Sequence, residues 1–295
     1  MDTWVAFTLL AVVMQSIRTA AQKQLTSNIS VQAATLVRFL FGIKFALIYL
    51  AFVWQVYEPG NFELGQRFFQ SGALASISQI LATVFLIKAL TLKNFAVGTA
   101  LAKTEAILTA VLGALFFSAA LSAIGYLSVV VGVGGVLIAS NWKITLLDFK
   151  DNESIRYGLA AGLGLALASL WVRDASLSIE APRLFSAAMV LVYMVVLQSL
   201  ICFVWIYLKE REQLSLLKEN LGACTFVGFT SVVGSVGWFT AMSLQNAALV
   251  KTLGQTEFVV SLLITYLYFG EKISTREYLG IALIAISVII VLLAS

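Results

Sequence analysis

Residues 101–117 read LAKTEAILTAVLGALFF, and residues 253–269 read LGQTEFVVSLLITYLYF. Thr104-Glu105 and Thr256-Glu257 fall at the same place in the two runs, 152 residues apart. Laid on itself at that offset, the chain is identical at 13 of 44 positions from Val84 to Leu127, including Asn94/Asn246, Phe117/Phe269 and Tyr126/Tyr278. That density exceeds what a Leu/Ala/Val-rich composition produces by accident, so the chain carries an internal duplication. A carboxylate is costly inside an apolar helix, and this chain carries one twice at equivalent places. The pattern points to a duplicated membrane protein with a functional centre.

Composition agrees. Hydrophobic residues make up 60% of the chain and charged residues 12%, with a mean hydropathy of +0.96. A soluble domain carries about 25% charged residues, so most of this surface faces lipid. In lipid only helices or closed barrels satisfy every backbone amide. Barrel strands alternate polar and apolar residues; these runs are continuously apolar and read as helices. Ten spans of about 20 residues fit: 3–23, 32–54, 69–91, 94–117, 120–140, 155–173, 183–208, 219–243, 246–269 and 275–294. The first has no basic leader and reads as a span, not a signal peptide. The expected fold is an all-α integral membrane protein of ten transmembrane helices, arranged as two five-helix repeats, 1–141 and 155–295. Five is odd, so the second copy enters from the opposite side and the repeats are inverted. That is an architecture of secondary transporters, with a site near the midplane between repeats.

Several classes are excluded. The net charge is +4, and no basic cluster is interleaved with aromatics, so nucleic acid is not an expected partner. There is no histidine, and Cys202 and Cys224 stand alone in apolar runs, which reads as no metal, no disulfide and no cofactor. No nucleophile–base set or phosphate loop is visible, so the chain does not read as an enzyme. Pro59 and Pro182 both fall in loops, leaving glycines or polar insertions as sources of bends. The glycine clusters, among them the Gly158/Gly162 pair, read as close helix contacts. Lysine and arginine concentrate in odd-numbered loops, which favours those loops in the cytoplasm and both termini outside.

Glu105 and Glu257 each lie about 11 residues into a span, near the middle of a roughly 30 Å core. There a carboxylate must be paired, hydrated or protonated. Two readings stand: a substrate or proton-coupling site, or a structural ion pair or protonated group bonded to a neighbouring helix. Lys103 and Gln255 precede the glutamates by two positions. Two residues is about 200° of turn, so Lys103 needs a partner other than Glu105 or points into a wet cavity. Arg18, Arg38, Gln79, Gln198 and Trp238 also sit inside spans, and Lys44 follows Arg38 in the second. Arg18, Arg38, Lys44 and Lys103 against two glutamates leave room for an anionic ligand group; alternatively an arginine pairs with a glutamate and Lys44 snorkels. Lys88 and Lys251 read as snorkelling from span ends. Trp238 reads as a core residue, with cavity lining as the alternative.

Several of these residues carry a resemblance to the EamA branch of the drug/metabolite transporter superfamily, over essentially the full length. Arg38-Phe39 resembles the family's RF pair in helix 2. Ala89 and Asn94 to Ala96 fit its helix 3–4 turn. Glu105 and Glu257 stand where these proteins often carry Glu-Pro, and Phe269-Gly-Glu-Lys-Ile-Ser274 is similar to the sequence before its last helix. Trp238-Phe-Thr-Ala-Met242 through Gly254-Gln-Thr-Glu257 resembles one bacterial subset. Ala106 and Phe258 replace the prolines, and Ala119 replaces the counterpart of Glu271. The resemblance implies metabolite export with helices 1, 3, 4, 6, 8 and 9 lining the path, cytoplasmic termini, and a bacterial inner (plasma) membrane. The combined expectation is a secondary exporter of a small polar metabolite such as an amino acid. Glu105, Glu257, Gln255, Lys103, Arg18, Arg38, Trp238 and Gln79 would form its site, and Glu105 or Glu257 would couple to a proton. Membrane lipid and the small-molecule substrate are the expected partners. Translocation or binding of a lipid headgroup, and a passive channel, are the alternatives.

Overall fold

The structure is a computed structural model that describes residues 2–92, 101–140, 153–269 and 274–294. The Asn94 to Ala96 turn, Glu271, and Lys93, Lys143, Lys150 and Lys272 of the loop-charge pattern lie outside the described residues. Every regular element described is α-helical: α1 (Thr3–Leu25), α2 (Val31–Leu40), α3 (Ile43–Tyr57), α4 (Gln66–Thr91), α5 (Glu105–Phe116), α6 (Ala123–Ala139), α7 (Glu153–Leu177), α8 (Arg183–Lys209), α9 (Gln213–Glu219), α10 (Leu221–Leu244), α11 (Ala247–Leu253), α12 (Thr256–Phe269) and α13 (Thr275–Ala294). Taking α2 and α3 as one, seven helices are long and apolar enough to cross a membrane by length and composition. The other three expected spans differ for visible reasons. α6 has 17 residues, and the two spans carrying the glutamates are broken in the middle.

The breaks fall at equivalent places. Lys103 and Thr104 form a turn before α5, and Gly254 and Gln255 form one between α11 and α12. Locally the backbone tightens to three-residue bonds, Thr104 N–H to Leu101 O and Gln255 N–H to Thr252 O. The threonines of the duplicated dipeptides stabilise the interruption. Thr104 Oγ1 donates to Leu101 O at 2.7 Å and Thr256 Oγ1 to Leu253 O at 2.8 Å, bonding carbonyls at the end of the preceding helical turn. Proline is therefore not needed to bend these helices, and the continuous spans expected at 94–117 and 246–269 are corrected. The expected span 32–54 is likewise interrupted at Phe41–Gly42, where Gly228 of α10 packs against the Phe41 backbone. The polar stretch after α8 contains α9.

Packing is dominated by α1 on α10, α4 on α7 and α6 on α13. Glycines allow these approaches. A Cβ on Gly237 of α10 would lie 2.5 Å from Phe7 O of α1, one on Gly164 of α7 would lie 3.0 Å from Ser78 O of α4, and one on Gly135 of α6 would lie 2.9 Å from Gly280 O of α13. Small residues give backbone proximity where lipid supplies no hydrophobic drive between helices. Large apolar side chains such as Ile48, Phe116 and Leu208 point outward at 66–74% exposure, as lipid contact requires. At one end Arg67 of α4 pairs with Asp174 of α7, which also accepts from Ser71 Oγ at 2.6 Å.

Candidate functional site

Glu105 opens α5 and Glu257 is the second residue of α12. Each carboxylate thus stands at the N-terminus of a half-helix, where the helix dipole favours negative charge. Both are buried, at 4% and 7% exposure. Each also receives a lysine from the opposite repeat: Lys103 pairs with Glu257, and Lys251 of α11 pairs with Glu105 at 3.4 Å. The two lysines do not occupy equivalent positions. Lys103 lies in the first break, whereas Lys251 lies one turn before the second. The snorkelling expected of Lys251 is corrected: it is buried, and its partner comes from the other half of the chain.

Further polar groups link the pairs. Gln15 of α1 donates from Nε2 to Glu257 Oε2 at 2.6 Å, and Trp238 of α10 donates from Nε1 to Gln15 Oε1 at 2.8 Å. Lys251 Nζ lies 4.2 Å from the centre of the Trp238 ring, a cation–π contact. A continuous run therefore connects Lys103, Glu257, Gln15, Trp238, Lys251 and Glu105. The two carboxylates are not equally satisfied. Glu257 accepts from Lys103 and Gln15, while the buried Glu105 Oε2 has only the ion contact with Lys251 and no well-formed hydrogen bond.

Beside this run lies a small cavity of about 30 Å³ whose walls include Gln15, Arg18, Arg38, Gln79, Trp238 and Lys251. It has room for about one water, not for an amino acid. Arg38 Nη1 donates to Thr83 Oγ1 at 2.7 Å, and Gln79 Oε1 accepts from Gln198 Nε2 at 2.8 Å. Arg18 and Arg38 are both buried, and neither forms an ion pair with a glutamate among the described residues. Lys44 is exposed, 4.8 Å from the Phe45 ring centre, and is not part of this centre. Gln255 also points elsewhere, against Gly132 of α6. A larger groove of about 390 Å³ lies at α2, α4 and α8, but its walls include the exposed Ile77, Leu81 and Trp205 and it opens toward lipid.

Of the eight residues singled out in the sequence, Arg18, Arg38, Gln79 and Trp238 line the cavity, and Glu105, Glu257 and Lys103 form the adjoining ion pairs. Gln255 stands apart. Gln15 and Lys251 are the additions. Gln15 had a legible signal as a glutamine three residues before Arg18 inside a span.

The family model of EamA-like transporters matches residues 2–141 and again 156–293. The chain belongs to the EamA-like transporter family. This EamA-like protein is therefore a multi-pass membrane transporter of the drug/metabolite transporter superfamily, with the family's domain present twice. No curated protein matches it. Chains of solved structures do, 28 in number. One, described only as the crystal structure of a protein, is 15% identical and covers 99% of each chain with a TM-score of 0.70, a likeness of fold alone.

Proposed function

We propose that this EamA-like protein is a ten-span secondary transporter made of two inverted five-helix repeats, 1–141 and 155–295. It exports a small polar metabolite, such as an amino acid or related compound, across a bacterial inner membrane by alternating access. The observation that carries this reading is the crossed pairing of Lys103 with Glu257 and Lys251 with Glu105, which ties the broken helix of each repeat to that of the other. The packing supports a two-fold relation between the repeats. Exchanging the repeats turns the α1–α10 contact into the α7–α4 contact and leaves α6–α13 and α2–α8 as themselves, as a two-fold relation between the repeats requires; the odd number of spans per repeat is what would lay that axis in the membrane plane.

In this reading the crossed pairs close the centre, and transport needs one of them to open. A proton at Glu105 Oε2 displaces only the 3.4 Å contact to Lys251, whereas at Glu257 Oε2 it competes with both Lys103 and Gln15. Glu105 is therefore the proton-coupling group. Its neutralisation strips Lys251 of its counterion and loosens α5 from α11. The test is reconstitution into liposomes with a labelled amino acid, measuring counterflow and accumulation under an imposed pH gradient. Glu105→Gln should abolish gradient-driven accumulation while leaving counterflow. Unchanged accumulation in Glu105→Gln/Glu257→Gln would end the coupling role, and absence of saturable counterflow for every solute class tried would end the carrier reading.

A further inference from the structure

The buried centre holds more positive charge than it cancels. Among the described residues, Arg18, Arg38, Lys103 and Lys251 face Glu105 and Glu257, and both carboxylates are already occupied by the lysines. Two positive charges are left over, and they belong to the arginines. Glu257 is within electrostatic reach of Arg18, yet its bonds go to Lys103 and Gln15. Arg18 Nε is buried without a hydrogen-bond partner. Arg38 has Thr83 Oγ1 and, 5.2 Å from its guanidinium carbon, the ring centre of Phe39. Both side chains line the same cavity, together with the amides Gln15 and Gln79.

Two uncompensated like charges in a low-dielectric interior are strongly unfavourable. The helices alone give no reason to place them there. Arg173 of α7 shows what a structural arginine does: its Nη1 donates to the carbonyls of Met242 and Gln245 at the end of α10. Arg18 has no such role. Guanidinium forks match the paired oxygens of carboxylate and phosphate, and the flanking amides can bond an adjoining polar group.

We propose that Arg18 and Arg38 form the receptor for the acidic part of the transported solute, and that this solute is a small dianion, a dicarboxylate or a phosphate-bearing organic acid. Such a solute neutralises the centre, which a zwitterionic amino acid does not. The proposal rests on the cavity being the transport site. It refines the substrate class to acidic solutes.

The test is thermal unfolding of the purified full-length protein in detergent, followed by tryptophan fluorescence at matched ionic strength. The probes are succinate, inorganic phosphate, alanine, and mixed micelles containing phosphatidylglycerol. Succinate or phosphate should raise Tm saturably, and alanine should not. Arg18→Gln and Arg38→Gln should each raise the ligand-free Tm, because an uncompensated buried charge is removed, and weaken the anion effect by at least about tenfold in apparent Kd. Arg38→Lys, which keeps the charge without the fork, should retain a weakened response. No anion-dependent shift in the unaltered protein, or a shift retained in both Gln variants, overturns the proposal. So does a shift given by phosphatidylglycerol alone, which would assign the arginines to a lipid headgroup. Anion binding without counterflow strikes the carrier reading and leaves this site standing; counterflow without anion binding does the reverse.

Discussion

Lys103 and Glu257 are 154 positions apart in the chain and in direct ionic contact in the fold. Both are largely buried, and removing Glu257 leaves Lys103 without its counterion in a centre already rich in positive charge. Glu257→Met alone should cost about 3–5 kcal/mol, and adding Lys103→Met should recover most of it because neither charge then remains. Denaturant unfolding of the purified protein measures this, and additive losses in the double variant would show that the contact does not couple the two groups. Part of the pair was legible in the sequence. A duplicated Thr-Glu marked the carboxylates, and the 200° separation of Lys103 from Glu105 left the lysine either a different partner or a wet cavity. Lys251 was not legible. It stands near the head of an apolar run, where lysines commonly reach out to water, and its partner lies in the other repeat. No spacing rule within one helix reports such a contact. Gln255 shows the opposite failure: its position is equivalent to Lys103, but it turns toward Gly132 of α6.

At the scale of elements, the helix contacts are set by glycines whose missing Cβ lets another backbone in. Gly237→Ala would place its new carbon 2.5 Å from Phe7 O, a backbone atom that moves only if α1 moves, and should destabilise by about 1–3 kcal/mol. Gly134→Ala meets nothing within 4 Å and should be neutral or stabilising by up to about 1 kcal/mol through helix propensity. Equal melting temperatures for the two variants would remove the glycine account of this packing. The sequence announced these contacts as clusters of glycine in apolar runs, and it announced the long helices by length and hydropathy alone. It did not announce the breaks at Lys103–Thr104 and Gly254–Gln255. Hydropathy runs straight through both, and proline, the usual marker, is absent. Each break carries a threonine hydroxyl bonded to a carbonyl three residues back and a carboxylate at the new helix start, local features that hydropathy does not register.

At the scale of the whole molecule, the cavity lined by Arg18 and Arg38 holds little more than a water, while any metabolite needs several times that volume. Access must come from separating the repeats, and the crossed lysine–glutamate pairs are the contacts that resist separation at the centre. Ser169 of α7 reports on this. It is buried at 3% exposure, lines the cavity, and among the described residues its hydroxyl bonds only to its own helix at Leu165 O. Cys202 and Cys224 are buried and away from it, so Cys202→Ala/Cys224→Ala gives a background for labelling Ser169→Cys with a membrane-impermeant thiol reagent in proteoliposomes. The closed form should label slowly. Lys251→Met removes one crossed pair and the cation over Trp238, and should speed labelling by about tenfold for each 1.4 kcal/mol by which it favours the open form. An unchanged rate would mean that closure is held by helix packing and not by the ion pairs. The proton-coupling role of Glu105 would then fail with it, because neutralising a carboxylate can drive opening only if its pairing holds the centre shut.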